Sequence, residues 1–134
     1  MSPVKHLDHL NLTVHDLEET QRWYRAVFGF DRVESGVHLG RPWAILRAGE
    51  ALLCVYEHPE RSAPGEGPAH TVNHFSLRLH DPADFLARVA AEGVGVRYGG
   101  AVEWPHSTSW YVADPSGYEI EVVHWRDDRI RFVG

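Results

Sequence analysis

Residues 7–16 read L-D-H-L-N-L-T-V-H-D, and residues 72–81 read V-N-H-F-S-L-R-L-H-D. The two stretches match apolar residue for apolar residue, and His9 of the first stands over His74 of the second. They lie about half a chain apart, and self-similarity at such a period is typical of an internal duplication. The sequence therefore predicts one structural unit used twice.

The first unit begins with alternating residues and continues with a helix signal. His6–Val14 has a period of two, which predicts a strand with an apolar back and a polar front. Asp16 and Glu19 form a plausible capping box, and Gly29 suits the residue after the last helical turn. Three short strands are predicted to follow, at Phe30–Glu34, Ala44–Arg47 and Ala51–Glu57.

The second unit repeats this order. Val72–Leu79 is a predicted strand, and Asp81 with Pro82 opens a helix that ends near Gly93. Strands are predicted to follow at Val94–Tyr98, Ser109–Ala113 and Tyr118–Trp125. The predicted fold is α+β, with two βαβββ repeats forming a curved, cupped mixed sheet and helices on its outer face. We expect one domain over residues 1–134, with repeat one at about 5–58, a linker at about 59–68 and repeat two at about 70–126.

The ends of the two units also align. Setting Gly49 on Gly117 places R-A-G-E-A-L-L-C-V-Y over D-P-S-G-Y-E-I-E-V-V-H and puts Leu53 opposite Glu121. The alignment predicts that the two halves differ in a charge at this position.

Composition excludes several classes of function. A net charge of −6 with no basic stripe argues against nucleic acid as a partner. No apolar run approaches the roughly 20 residues that span a bilayer, and no signal peptide is visible at the start. The single cysteine, Cys54, cannot form an internal disulfide, so we expect a cytoplasmic protein in which this thiol packs as a buried small hydrophobe.

Three polar residues are candidates for a metal site. The alternation places His9 and His74 at equivalent points of the concave face, and Glu121 lies on the last strand. Two neutral imidazoles and a carboxylate can bind a divalent ion and leave positions open for substrate. Spacing alone does not separate this hypothesis from histidines with ordinary structural contacts and a solvated glutamate.

The sequence resembles the vicinal oxygen chelate superfamily, which includes glyoxalase I, fosfomycin-resistance thiol transferases, extradiol dioxygenases and bleomycin-binding proteins. The segments that carry the resemblance are 8–18, 23–30, 73–79 and 109–122. The resemblance implies paired βαβββ modules around a divalent metal held by His9, His74 and Glu121. It leaves iron, manganese, zinc, nickel and cobalt undistinguished. It also implies a homodimer in which His9 comes from one chain and the other two ligands from its partner.

The resemblance also ranks the reactions. Glyoxalase I-like proteins use a glutamate ligand where the alignment places Leu53, which argues against lactoylglutathione lyase activity. Fosfomycin-type transferases resemble this chain at Asn11 and Ser109, but 104–108 lacks the glycine of their potassium loop. Residues Tyr111 to Glu121 match the final signature of the extradiol dioxygenases, so the resemblance favours dioxygenase chemistry. It makes Tyr111 and His106 the catalytic candidates. The alternatives are a thiol transferase and a metal-free protein that binds a small molecule.

Arg78 is predicted to face the cavity, four residues beyond His74. A guanidinium there needs a partner, because an unpaired buried charge is costly. A substrate anion would make Arg78 a binding residue, beside Asn11 and Ser109. The equal alternative is a structural ion pair with Glu119 or Glu103.

Overall fold

The computed structural model describes residues 2–58, 60–61 and 72–132, and it contains two four-stranded sheets that share one architecture. The first unit consists of β1 Leu10–Val14, α1 Leu17–Phe28, β2 Asp31–His38, β3 Arg41–Ala48 and β4 Ala51–Glu57. The second consists of β5 Phe75–Arg78, α2 Pro82–Ala91, β6 Val102–Glu103, β7 Ser107–Ala113 and β8 Glu119–Trp125. The predicted α+β fold with two βαβββ repeats is confirmed.

The two sheets have the same strand order. It is β1-β4-β3-β2 in the first sheet and β5-β8-β7-β6 in the second. In each sheet the first and last strands of the unit pair in parallel, and the other pairs are antiparallel. Each unit therefore has its opening strand on a sheet edge, beside its closing strand.

The helix signals in the sequence are confirmed. Asp16 caps α1 by accepting a hydrogen bond from the Glu19 N–H, and Gly29 ends that helix at φ 74°. Asp81 caps α2, with Pro82 in the first turn. A positive φ of this size favours glycine, so the end of the helix could be predicted from Gly29 in the sequence.

Several strand boundaries differ from the prediction. The first strand starts at Leu10 instead of His6, and the fifth is shorter than Val72–Leu79. The predicted strand Val94–Tyr98 is wrong, because this stretch is irregular and the next strand, β6, begins at Val102. The chain has positive φ at three consecutive residues, 98–100, which breaks the extended conformation that a strand requires. The predicted linker falls largely outside the described residues.

One hydrophobic core joins the two units. It includes Leu12 and Val14 from β1 and Ile120 and Val122 from β8, so the predicted alternation is confirmed in both halves. The helices meet through aromatic rings, with Phe28 stacked on Phe85 of α2 at 5.6 Å between ring centroids. The apolar back of each strand is thus buried, and the polar front is left for a site. Among the described residues, no helix is long and apolar enough to cross a membrane.

A buried carboxylate also links the units. Asp114, in the turn between β7 and β8, accepts a hydrogen bond from the Tyr24 hydroxyl of α1 at 2.8 Å. It also accepts the backbone N–H groups of Ser116 and Tyr118, both at 2.9 Å. Burial raises the pKa of the Asp114 carboxyl, while these hydrogen bonds act in the opposite direction. The turn that precedes β8 is therefore fixed to α1, the helix of the other unit.

Asp114→Ala should lower the free energy of unfolding by about 2–3 kcal/mol, because it leaves the buried Tyr24 hydroxyl and two backbone N–H groups without their acceptor. Urea denaturation measures the change. Asp31→Ala is the control, since Asp31 is exposed and its ion pair with Arg25 is long, at 3.5 Å. Equal losses in both variants would show that the buried contacts contribute nothing.

Candidate metal centre

Two of the three predicted ligands lie together. His74 immediately precedes β5, and Glu121 lies on the neighbouring strand β8, one residue past the partner of Phe75. The His74 Nε2 atom is 2.9 Å from Glu121 Oε1. Their side chains are 28% and 18% exposed, so the pair is open to a small ligand but shielded from bulk water.

The Glu121 carboxylate is held on both oxygens. The Ser109 hydroxyl donates to Oε2 at 2.6 Å, and the Ser76 hydroxyl lies 3.2 Å from Oε1. Burial alone raises the pKa of this carboxyl, but hydrogen bonds with Ser109, His74 and Ser76 outweigh that effect and hold the pKa below its usual value. Glu121 is therefore an ionised and oriented oxygen donor.

The ring of His74 is oriented as well. Its Nδ1 atom lies 2.6 Å from Asn73 Oδ1, while Nε2 faces Glu121. The hydrogen bond to Glu121 places the proton on Nε2. A tautomer with its proton on Nδ1, directed at Asn73, would free the Nε2 lone pair for a metal. The separation of 2.9 Å is that of a hydrogen bond, and it brings together an imidazole nitrogen and a carboxylate oxygen, two donor types that bind divalent metals.

His9, the third predicted ligand, is elsewhere in the chain. It precedes β1 in the first sheet, its side chain is 44% exposed, and Nδ1 lies 2.8 Å from Asp8. Within residues 2–58, 60–61 and 72–132, no three His, Cys, Asp or Glu side chains form a group that could hold a metal. A single chain therefore brings together His74 and Glu121 without His9.

A cavity of about 560 Å³ adjoins the pair. Its polar wall consists of His74, Ser76, Arg78, Ser107, Tyr111 and Glu121. The remaining described residues around it are mostly apolar and include Trp104, Val123, Trp125, Ile130 and Phe132. A cavity of this size suits a small molecule.

Tyr111 lies where the dioxygenase-like signature predicted a residue near the metal. On β7 it stands opposite Glu121, and its ring is 5.9 Å from that of His74. Burial, followed by the charge of Glu121, raises the pKa of the Tyr111 hydroxyl. The hydroxyl thus stays protonated near neutral pH and can donate a hydrogen bond into the cavity. Tyr98 packs edge-on against the same ring at 5.1 Å.

Arg78 lines the cavity, but neither predicted carboxylate is its partner. It donates to the Asp128 side chain at 2.6 Å and to the Asp128 carbonyl at 2.7 Å. The pairs proposed from the sequence are wrong because other arginines take those acids. Arg97 binds Glu119, and Arg126 binds Glu103.

The other candidate residues are dispersed. Ser109 is fully buried beneath Glu121. Asn11 is exposed on β1 of the first sheet, two residues after His9. His106 precedes β7, is not among the described residues that line the cavity, and accepts a hydrogen bond from Arg131 Nε at 3.0 Å.

The register of the sheets corrects the alignment of the two halves. Leu10 pairs with Leu53, whereas the equivalent Phe75 pairs with Ile120. Leu53 therefore corresponds to Ile120, and the counterpart of Glu121 is Cys54. The alignment of Gly49 on Gly117 gave the wrong register, because two residues join β3 to β4 but five join β7 to β8.

This correction changes the residue at the fourth-ligand position. Leu53 is 3% exposed and packs in the core, on the helix side of the sheet. Cys54 is half-buried on the opposite face, and burial raises the pKa of its thiol. The first half still lacks a glutamate there, so the difference from glyoxalase I-like proteins remains, with cysteine in place of leucine.

Sequence reasoning missed Asn73 and the segment 126–132. Asn73 stands next to a predicted ligand, which was the available signal. Asp128 and Phe132 follow the last strand, where no periodic pattern remains to predict a return to the cavity.

The fold and the site geometry define a duplicated βαβββ protein with a polar cup. Residues 6–122 match the family model described as the Glyoxalase/Bleomycin resistance protein/Dioxygenase superfamily. This chain belongs to that superfamily, the vicinal oxygen chelate superfamily of the sequence analysis.

Individual relatives agree with this assignment. The chain is 26% identical to catechol-2,3-dioxygenase of Bacillus subtilis (strain 168), over 92% of this chain and 45% of that protein, so it spans about half the length of this curated relative. A glyoxylase/bleomycin resistance protein/dioxygenase domain from Frankia sp. EAN1pec superposes with a TM-score of 0.80 at 19% identity, covering 94% of this chain and 96% of that one. Lactoylglutathione lyase from Agrobacterium tumefaciens gives a TM-score of 0.69 at 24% identity, covering 96% and 100%. The family thus includes proteins named as enzymes.

Proposed function

We propose that this protein is a divalent-metal-dependent enzyme that acts on a small molecule bound to the metal through oxygen atoms. One observation carries the proposal: His74 and Glu121 lie 2.9 Å apart inside a cavity of about 560 Å³. The oriented imidazole and the ionised carboxylate provide two of the three proposed ligands, and the cavity gives a substrate access to them.

The third ligand in this proposal is His9 of a second copy of the chain. His9 is exposed at the start of an edge strand in the first sheet, away from the other two ligands. A two-fold dimer would place each first sheet against the second sheet of the other copy and form two equivalent sites. Asn11 would then reach the site beside His9.

Each copy of the chain would act as one domain over residues 1–134. The cytoplasm suits a chain with a single cysteine.

The metal would supply Lewis-acid polarisation of the substrate oxygens and orientation of the substrate. The protein's own residues would complete the site. Ser109 and Ser76 hold Glu121, and the Tyr111 hydroxyl donates a hydrogen bond to a substrate oxygen. His106 has a positioning role, because it accepts a hydrogen bond from Arg131 on the cavity wall.

Ring-cleaving oxygenation is the reaction that we favour. It is supported by the protonated Tyr111 beside Glu121 and by the similarity to a catechol dioxygenase. Iron or manganese would suit that chemistry, and the ligand set does not distinguish these metals from zinc, nickel or cobalt. Oxygen uptake with simple catechols tests the favoured reaction. Thiol addition to an epoxide without oxygen uptake would favour the transferase.

Metal content and subunit mixing test the shared site. Protein purified without a histidine tag should contain about one metal per chain by elemental mass spectrometry, and His9→Ala and His74→Ala should each lose it. Co-refolding these two variants should restore about a quarter of the sites, since half of the dimers are mixed and each mixed dimer regains one complete site.

Two results would contradict the proposal. Full metal content in His9→Ala would remove His9 from the ligand set, and no recovery on mixing would contradict a site shared between copies. Wild-type protein that takes up no metal at all would instead support a metal-free binding protein.

A further inference from the structure

The cavity combines a cation with an aromatic wall. Arg78 projects into it from β5, and Trp104, Trp125 and Phe132 form the apolar side. We infer that the ligand is a flat apolar molecule that carries an anionic group, which Arg78 binds at the end of the cavity away from His74 and Glu121. The placement of its oxygen-bearing end at that pair rests on the proposed function.

Charge favours an anion in this cavity. Arg78 and Arg131 line it, and Glu121 is the single carboxylate among its described lining residues. Glu121 is already engaged by Ser109 and His74. The two arginines of the wall are thus balanced by Glu121 and by Asp128, and displacement of Asp128 would leave an excess of positive charge for a ligand anion. A bound divalent metal would strengthen the preference for an anionic ligand.

The present partner of Arg78 can be displaced at low cost. The Asp128 side chain is 96% exposed, and an ion pair in this setting contributes little because water screens it. A ligand carboxylate within the cavity offers the guanidinium a planar, bidentate partner in a drier environment. Asp128 therefore acts as a stand-in for the anionic group.

The strand sets the length of the ligand. His74 and Arg78 are four residues apart on one face, so their Cα atoms are about 13 Å apart along an extended chain. Both side chains reach inward, which leaves roughly 7–10 Å between the anion and the oxygens at the metal pair. One aromatic ring with a short side chain spans this distance.

The aromatic residues on the apolar wall of the cavity are exposed to water, and a ring of the ligand would cover them. Trp104 and Phe132 are 47% and 75% exposed, and Phe132 meets Trp125 edge-on at 5.2 Å. The segment that carries Phe132 is fastened by Arg126, which binds Glu103 and the Pro105 carbonyl. Stacking on these rings would bury apolar surface that is now in water.

Binding of two matched probes to metal-free protein tests the inference. In calorimetric titrations, 4-phenylbutyrate should bind at least about 10-fold more tightly than 4-phenylbutan-1-ol, which has the same ring and chain without the charge. Arg78→Gln should abolish the difference. Arg97→Gln is the matched control, because Arg97 pairs with Glu119 and does not line the cavity. Asp128→Asn should tighten binding of the acid a few-fold by removing its competitor.

Equal affinity for acid and alcohol would overturn the inference, and so would no binding of either probe. An equal loss in Arg78→Gln and Arg97→Gln would also overturn it, and Asp128→Asn keeps the test decisive if Arg78→Gln fails to fold. The two proposals fail separately. A charge preference that depends on Arg78 in protein that never takes up metal leaves a binding protein for aromatic acids. Normal metal content with no such preference leaves the metal enzyme and removes this ligand class.

Discussion

Glu121→Gln should lower the metal affinity at least about 100-fold and leave the folded state intact. The amide keeps the volume of the side chain and can still accept the Ser109 hydrogen bond, but it loses the negative charge that attracts a divalent ion. Because the native carboxylate is ionised, with its pKa held low by its hydrogen bonds, the substitution removes a full charge at neutral pH. Metal titration followed by elemental analysis measures the effect, and thermal unfolding without metal checks the fold.

Glu119→Gln is the matched control. Glu119 lies two residues away on the same face of β8, but Arg97 and Tyr98 bind its carboxylate. It should lose its ion pair with Arg97 and bind metal as the native protein does. Similar metal affinities in the two variants would show that Glu121 is not a ligand.

Leu53→Glu should prevent stable folding, whereas Cys54→Glu should be tolerated. Leu53 is 3% exposed in the core, so a carboxylate there would be buried without a partner and would cost about 4 kcal/mol or more. Cys54 faces the other side of the sheet, opposite Asn11, where a glutamate can reach water. Circular dichroism and urea denaturation of the two neighbouring variants measure the difference.

The same pair of variants tests the register. The alignment on Gly49 and Gly117 places Leu53 on the polar face, and under that alignment Leu53→Glu would be the mild substitution. Cys54→Leu is the control for volume and should change stability little. A folded Leu53→Glu protein beside an unfolded Cys54→Glu protein would contradict the register in the structure.

Local signals made much of the fold predictable from the sequence. The caps at Asp16 and Asp81 and the end at Gly29 depend on residues within one helical turn, and the alternation around His9 and His74 depends on a period of two. Such signals require no knowledge of distant residues. The pairing of His74 with Glu121 followed because the duplication placed both on the polar face of neighbouring strands.

Features set by loops were not predictable. The shift from Leu53 to Cys54 arises from the different lengths of the connections before β4 and β8, and a shared glycine does not reveal that difference. The partner of Arg78 depends on where the chain turns after β8. Asp128 lies in that turn at φ 53°, a conformation that no periodic pattern predicts. Both outcomes depend on how the loops bring distant residues together, and the periodicity of the sequence does not encode this.

Strand order has a consequence for motion at the site. Both histidines stand at the start of an edge strand, β1 or β5, which is hydrogen-bonded within its sheet on one side only. Edge strands open more readily than interior strands, so backbone fluctuations will begin beneath the imidazoles and leave Glu121 on β8 comparatively still. In the proposed metal site the carboxylate would thus be the fixed ligand, and the two histidines would be the ligands that move to accommodate ions of different size.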